Sequence, residues 1–141
     1  MPASVDPRSC NMGTTPHVFV VDDDPSVLTA IQRLLRSSGF EAEIFASGRE
    51  FLDAVSPDAT GCAILDVQMP EMNGLELQEK MTAGGYKVSV VLITAYPKEE
   101  DRRRALLGGA VQYLEKPVSA DVLLPSVRAT TAGVSTLDKR R

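Results

Sequence analysis

The sequence predicts one α/β domain built on a doubly wound, five-stranded parallel sheet. Short apolar runs alternate with segments of helical periodicity from His17 to about Thr130, which is the pattern of repeated βα units. The apolar runs are nearly continuous, as strands are when helices cover both faces of a parallel sheet. A chain of 141 residues, 43% of them hydrophobic and 24% charged, also has the size and composition of a single globular core.

Five apolar runs are the predicted strands, and the helices between them carry start and stop signals. Pro25 suits the first turn of the first helix, and Gly39 suits its C-terminal cap. Ser47 and Glu50 have the spacing of a capping box at the start of the second helix. The predicted strands are residues 18–21, 41–45, 62–65, 88–93 and 111–114; the third helix starts near residue 73, the fourth spans residues 97–107 and the fifth starts near residue 119.

Composition limits the function classes. The net charge of −4 gives no electrostatic reason to expect direct nucleic-acid binding, and no apolar run approaches the roughly 20 residues of a membrane helix. Residues 1–16 lack the apolar segment of a signal peptide. Cys62 lies in an apolar run, as a core residue does, and Cys10 lies in the tail as a free thiol. Unpaired cysteines and the missing signal peptide together favour a cytoplasmic protein. We therefore expect a domain at residues 17–130, with tails at residues 1–16 and 131–141 and no output domain.

Polar side chains follow four of the predicted strands where each strand ends. Ligands of open parallel sheets bind outside these carboxyl ends, where the strand order reverses. In the order 2-1-3-4-5 the first and third strands are neighbours, so their acids would meet in one pocket. Clustered carboxylates stay ionised together when a cation neutralises them, and Mg²⁺ is favoured because it keeps positions open for water and a phosphoryl oxygen. The strand-end residues are Asp22, Asp23 and Asp24, then Asp66, Thr94 and Lys116.

These side chains suit phosphoryl transfer, which needs an acceptor, positive charge and alignment. Asp66 would be the oxygen nucleophile at the floor of the pocket. Lys116 supplies a movable ammonium that can pair with Asp66 or with a phosphoryl oxygen. Thr94 offers a hydroxyl donor to the same group.

Four motifs, in this order along the chain, resemble the response-regulator receiver domain (CheY-like) of two-component phosphorelays. They are the acid pair in V-V-D-D, the segment I-L-D-V-Q-M-P-E-M-N-G, the threonine in L-I-T-A-Y and the segment Y-L-E-K-P. The resemblance covers residues 17–130. It implies a flavodoxin/CheY-like sheet of order 2-1-3-4-5 and a cytoplasmic phosphoacceptor protein rather than an enzyme, promoting only its own phosphorylation and dephosphorylation.

The resemblance assigns roles to the acids. Asp66 would be the phosphoacceptor, taking its phosphoryl group from the phosphohistidine of a sensor histidine kinase or a histidine phosphotransfer protein. Mg²⁺, for which Mn²⁺ can substitute, would be held by Asp22, Asp23, Asp66 and the backbone carbonyl of Gln68. Asp24 falls where the family varies and is not expected among the metal ligands.

The resemblance also implies a switch. Lys116 would bind a phosphoryl oxygen, and its bond to Pro117 is expected to be cis. Thr94 would move toward the phosphate, and Tyr113 would turn inward to fill the space it leaves. This movement would change the surface of the fourth helix, fifth strand and fifth helix, which binds a downstream protein or a second copy. A plain half-buried strand tyrosine is the alternative for Tyr113.

Three further positions follow from the same resemblance. Ala95 is small, as the family requires beside the phosphate, and Gln68 and Tyr96 lie where side chains tune the lifetime of the phosphoaspartate. Pro125 departs from the pattern, because a proline inside a helix removes a donor and costs roughly 3 kcal/mol unless the helix kinks or ends there. It puts the usual dimer surface in doubt.

Other function classes fit part of the sequence. D-D-D-P-S-V, with acids at Asp22 and Asp24, is similar to the nucleophile loop of haloacid-dehalogenase-type phosphatases, but leaves Asp66 without a role and lacks the later acid pair and cap insertion. A binding module that signals without phosphorylation would typically have lost one of the acids, Thr94 or Lys116. An N-terminal fragment of a DNA-binding transcriptional regulator stays open as an alternative.

Overall fold

The computed structural model describes residues 17–131, which form five strands and five helices in strict alternation. The two expected tails and Cys10 lie outside the described residues, apart from Thr131 at the end of the last helix. No helix within residues 17–131 has both the length and the apolar character needed to cross a membrane. The elements are β1 (His17–Val21), α1 (Pro25–Ser37), β2 (Glu41–Phe45), α2 (Gly48–Ala54), β3 (Cys62–Asp66), α3 (Gly74–Ala83), β4 (Ser89–Thr94), α4 (Glu99–Leu107), β5 (Gln112–Glu115) and α5 (Ala120–Thr131).

The strands form one parallel sheet of order β2-β1-β3-β4-β5, which confirms the predicted fold class and strand order. β1 and β3 are neighbours in the middle of this order, with Val21 opposite Leu65. Asp22, the residue after β1, and Asp66, the last residue of β3, therefore lie side by side at this edge of the sheet. The strand order alone brings the two acids into one pocket.

Helices cover both faces of the sheet, which explains the nearly continuous apolar strands. Successive side chains of β1 point to opposite faces. Phe19 and Val21 pack with the apolar side chains of α2, α3 and α4, whereas Val18 and Val20 pack with those of α1 and α5. Each fully buried side chain of this kind contributes roughly 1.5–3 kcal/mol, so the two cores fix the strand ends that carry the polar residues.

The helix caps differ from the prediction at one place. Ser47 caps α2 as predicted, since its hydroxyl accepts the backbone N–H of Glu50 at 3.1 Å. The Glu50 carboxylate, however, accepts the backbone N–H of Ala46 at 3.0 Å, one residue before the cap, so the predicted reciprocal box is wrong. A complete capping box forms instead at α3, where Asn73 and Glu76 accept each other's backbone N–H groups at 2.8 and 2.9 Å.

Element boundaries shift by one or two residues from the prediction. β4 and β5 each begin and end one residue later, so that Thr94 and Glu115 are paired as the last residues of their strands. α4 begins at Glu99 rather than at Pro97. Pairing with the adjacent strand, which a single apolar run does not reveal, decides where each strand ends.

Pro125 does not end the last helix. α5 runs from Ala120 to Thr131 with Pro125 inside it and exposed. The proline lacks an N–H for the carbonyl of Asp121, which is in the first turn. Leu123 and Val127, on either side of the proline, are fully buried in the core and hold the helix against the sheet.

Gly74 lies where the start of α3 packs closely against the backbone of Asp66. It is the first residue of α3, and its backbone N–H donates to the carbonyl of Val67 at 3.1 Å. A Cβ at this position would lie 2.5 Å from the carbonyl oxygen of Asp66, a distance that real contacts essentially never show. The helix can approach the end of β3 this closely only with glycine at its start.

We expect Gly74→Ala to lower the free energy of unfolding by about 2 kcal/mol, because overpacking against backbone forces a shift of the chain. Urea unfolding followed by circular dichroism measures it. Gly48→Ala is the control, since Gly48 also starts a helix but a Cβ there meets first the flexible end of the Met72 side chain, at 2.9 Å, and should cost well under half as much. Equal losses in the two variants would show that the Asp66 backbone does not require glycine beside it.

Candidate functional site

Three carboxylates meet at the carboxyl ends of β1 and β3. Asp22, Asp23 and Asp66 each offer an oxygen, and these oxygens all lie within 4.8 Å of one another. Asp22 is 0% exposed and Asp66 is 2% exposed, whereas Asp23 faces solvent. The cluster is therefore a pocket with a buried floor and one exposed acid at its rim.

Lys116 reaches this pocket from the loop after β5. Its Nζ donates to Asp22 Oδ2 at 2.8 Å and lies 3.1 Å from Asp66 Oδ1. Its backbone N–H donates to the carbonyl of Thr94 at 2.8 Å, and its bond to Pro117 is cis. These contacts hold the ammonium between the two buried acids.

One ammonium does not neutralise the pocket. Three carboxylates and one ammonium leave a formal charge of −2. The contact between Lys116 and Asp66 is an ion pair without hydrogen-bond alignment, so Asp66 Oδ1 is buried with no hydrogen-bond partner among the described residues. Such an oxygen is costly to leave uncompensated. Acidic oxygens around an uncompensated buried oxygen fit a hard divalent cation, so the donor set here suits one.

The excess negative charge of the pocket affects the pKa values of Asp66 and Lys116. Burial, and then the charge of Asp22, raises the pKa of Asp66 from 3.8 to about 6, although the ammonium of Lys116 and the backbone N–H of Gln68 act in the opposite direction. Burial would lower the pKa of Lys116, but the carboxylates of Asp22 and Asp66 outweigh it and raise that pKa. At neutral pH the pocket therefore contains a protonated Lys116 and an ionised Asp66 whose charge is unfavourable there.

Asp24 does not join the carboxylate cluster. Its side chain accepts the backbone N–H of Ser26 at 2.9 Å and caps α1, with Pro25 in the first turn. Its own backbone N–H donates to Asp22 Oδ1 at 2.9 Å, which helps to orient that carboxylate. The D-P-S sequence is a helix-start signal that could have assigned this role.

Thr94 is fully buried at the end of β4, and both functions of its hydroxyl are used. The hydroxyl donates to Gln68 Oε1 at 2.6 Å and accepts the backbone N–H of Tyr96 at 3.0 Å. Sequence reasoning placed Gln68 near the site but missed this contact. Since the partners are 26 residues apart, no local pattern reports it.

Tyr113 links β5 to the start of α4. It is half-buried, and its hydroxyl accepts the backbone N–H of Lys98 at 3.2 Å. It lies opposite Leu92, two residues before Thr94 on the same face of the neighbouring strand. Ala95 is exposed and Tyr96 is 68% exposed, so the segment after Thr94 faces solvent.

Comparison with known proteins finds one family along nearly all of the described residues. The family model for the response regulator receiver domain matches residues 18–128. The response regulator protein TodT of Pseudomonas putida is 38% identical over 112 residues, which cover 79% of this chain and 49% of TodT. The transcriptional regulatory protein TdiR of Thauera aromatica is 36% identical over 125 residues, covering 89% and 55% of the two chains.

A solved structure of the same family is similar to this chain in both sequence and fold. The response regulator receiver protein from Burkholderia phymatum is 46% identical, with a TM-score of 0.72 and coverage of 84% of this chain and 96% of that one. The chain spans about half the length of the curated relatives it matches.

We expect the raised pKa of Asp66 to make metal-free protein less stable as the pH rises. Between 3.8 and about 6 the folded chain holds a proton that the unfolded chain has released, so stability is lost as the pH climbs through that interval. Asp66→Asn cannot ionise and should melt at a higher temperature than the parent above pH 6, with a gain that shrinks toward pH 3.8.

Thermal unfolding in the presence of a chelator measures this difference. Asp58→Asn is the control, because Asp58 is exposed and only loosely paired with Lys87 at 3.7 Å. A parent protein as stable as Asp66→Asn at neutral pH would contradict the expectation that ionised Asp66 destabilises the fold.

Proposed function

Because this chain belongs to the response regulator receiver domain family of two-component signalling, we propose that Asp66 accepts a phosphoryl group from a phosphohistidine of a partner protein. One observation carries the proposal. The oxygen Asp66 Oδ1 is buried, accepts no directed hydrogen bond from residues 17–131 and lies 3.1 Å from the Lys116 ammonium. It is an acceptor with a free lone pair next to a positive charge.

The transfer exchanges one bond for another. A bond forms between Asp66 Oδ1 and phosphorus while the bond from phosphorus to the histidine nitrogen breaks, and the electron pair of that bond leaves with the imidazole. Since the pKa of Asp66 is about 6, the carboxylate is mostly ionised at neutral pH and no proton has to be removed first. Lys116 is within reach of the acceptor oxygen and can stabilise the charge of the transferring group.

A divalent cation belongs to this proposal. The donor set suits Mg²⁺, with Mn²⁺ as a substitute, and the ligands would be the carboxylates of Asp22, Asp23 and Asp66 and the backbone carbonyl of Gln68. The bound ion supplies positive charge to the oxygens of the phosphoryl group.

The same proposal includes a switch. Thr94 moves toward a phosphoryl oxygen, Tyr113 turns inward, and the hydroxyl of Tyr113 then leaves the backbone N–H of Lys98, to which it now binds at 3.2 Å. The surface of α4, β5 and α5 changes as a result. The large apolar side chains exposed in and between these elements are Leu106, Leu107, Val111 and Val122.

For the partners, we propose a sensor histidine kinase or a histidine phosphotransfer protein as donor, in the cytoplasm. The output would be a protein contact of the α4–β5–α5 surface, made with a target protein, a second copy or another part of a longer chain. The negative net charge of −4 does not favour direct contact with nucleic acid. Residues 17–130 would act as the receiver unit.

The phosphatase alternative is not favoured. It requires Asp24 to act as a general acid in the pocket, but the Asp24 carboxylate caps α1 through the Ser26 N–H. It also gives no role to Asp66, whose pKa is raised by burial and by the charge of Asp22 to about 6.

Intact-mass spectrometry after incubation with acetyl phosphate tests the proposal. We expect one phosphoryl group per chain, dependent on Mg²⁺ and absent in Asp66→Asn. Asp24→Asn should still be labelled, because asparagine caps a helix as well as aspartate does. Labelling that persists in Asp66→Asn would overturn the assignment, and continuous turnover that Asp24→Asn abolishes would favour the phosphatase.

The metal ligands can be tested separately by calorimetric titration with Mg²⁺. We expect Asp23→Asn to weaken binding at least about tenfold, because even outer-shell partners of metal ligands are worth that much. Asp24→Asn has the same change of charge one residue away and should bind Mg²⁺ nearly as tightly as the parent. Similar losses in both variants would mean that only the total charge of the loop matters.

A further inference from the structure

We propose that the side chain of Gln68 is a lock that holds Thr94 in its resting position and that phosphorylation must displace. The inference rests on the proposed function, since it concerns how Thr94 reaches the phosphoryl group. Gln68 acts through Thr94 and is therefore a positioning residue. This role is separate from that of its backbone carbonyl in binding a cation.

The lock follows from the contacts of a buried hydroxyl. Thr94 is 0% exposed, so water is not an alternative partner for it. Its hydroxyl donates to Gln68 Oε1 over 2.6 Å, which is at the short end of O–H···O hydrogen bonds. The backbone N–H of Tyr96, at 3.0 Å, occupies one of the lone pairs and orients the hydroxyl further.

The number of protons makes the contact exclusive. A threonine hydroxyl has one proton and can donate it to one acceptor. Thr94 therefore cannot donate to the amide oxygen of Gln68 and to a phosphoryl oxygen on Asp66 at the same time. The switch is an exchange of acceptors, in which an anionic phosphoryl oxygen displaces a neutral amide because charge-assisted hydrogen bonds are about twice as strong.

The side-chain amide of Gln68 has open space beside it to occupy once its bond to Thr94 is broken. Gln68 is half-buried and lines an open cavity of about 550 Å³ between the β3–α3 loop and α4. Lys98 lines the same cavity and offers a cationic donor for the freed carbonyl oxygen, whereas Arg104, which also lines it, is paired with Glu79. Lys98 is also the residue whose backbone N–H binds Tyr113, so release of Gln68 and rotation of Tyr113 both affect the start of α4.

The test measures the binding of beryllium fluoride, a phosphoryl mimic that occupies an aspartate carboxylate without covalent transfer, in the presence of Mg²⁺. Gln68→Met has a side chain of similar length with no acceptor oxygen. We expect the beryllium fluoride concentration at half-saturation to be about fivefold lower for Gln68→Met than for the parent. In the variant, binding no longer breaks a hydrogen bond of typical net strength. Gln32→Met is the matched control, because that amide binds the carbonyl of Ala42 on another face of the domain.

A double-mutant cycle separates the lock from other effects of Gln68. In the Thr94→Val background there is no hydroxyl proton to hold, so Gln68→Met should leave the affinity unchanged. A merely structural role of Gln68 would give the same change in both backgrounds and would overturn the proposal. If Gln68→Met does not fold, Gln68→Ala is measured in the same cycle with the same expectation.

The outcomes distinguish the lock from the proposed function. If the parent binds the mimic, Asp66→Asn does not, and Gln68→Met binds as the parent does, the lock is wrong and the phosphoacceptor role stands. If the parent does not bind the mimic at all, both are overturned. Tighter binding in Gln68→Met that disappears without the Thr94 hydroxyl establishes the lock.

Discussion

Two buried carboxylates on neighbouring parallel strands, with a single ammonium between them, are the constraint on which the rest of this site depends. The pairing of β1 with β3 leaves Asp22 and Asp66 side by side, and the two hydrophobic cores fix the strands that carry them. Lys116 cannot compensate both acids and Asp23 as well. The fold therefore keeps a pocket with excess negative charge, which the proposed cation would relieve.

The route from this pocket to the surface consists of polar contacts that can exchange. Thr94 is held by Gln68, and Tyr113 is held by the backbone of Lys98 at the start of α4. α4 itself buries only Ala105 within the described domain, so packing contributes little to its position. Its C-terminal half is held by a hydrogen bond from Gln78 to the Ala105 carbonyl at 3.0 Å and by the ion pair of Arg104 with Glu79 at 2.9 Å.

A helix that is anchored in this way can respond to small changes at its ends. The contact of Tyr113 is at one end, and the contacts of Gln78 and Glu79 are near the other. Loss of the first would free the start of α4 while the second group keeps the helix on the domain. This division would let the proposed phosphorylation of Asp66 alter a surface without disturbing either core.

Much of this architecture could be predicted from the sequence, because apolar periodicity and strand-end polarity are local signals. The five strands and the polar residues at their ends follow from them, whereas the strand order, and with it the meeting of the acids, follows from the resemblance to receiver domains. Contacts between distant segments do not. The bond of Thr94 to Gln68 depends on how the end of β4 approaches the loop after β3. The continuation of α5 through Pro125 accompanies the burial of Leu123 and Val127 in the core. The Glu50 carboxylate binds one residue before the predicted cap, a choice between two nearby N–H groups that the spacing does not decide.

The most direct test is to follow the carboxylate carbon of Asp66 by NMR as the pH is changed, first in metal-free protein and then with saturating Mg²⁺. Buried like charges require that Asp66 titrate at about 6 without metal, and at a clearly lower pH once the cation is bound. An Asp66 that titrates near 3.8 in metal-free protein, with no response to Mg²⁺, would contradict the claim that uncompensated charge defines this site.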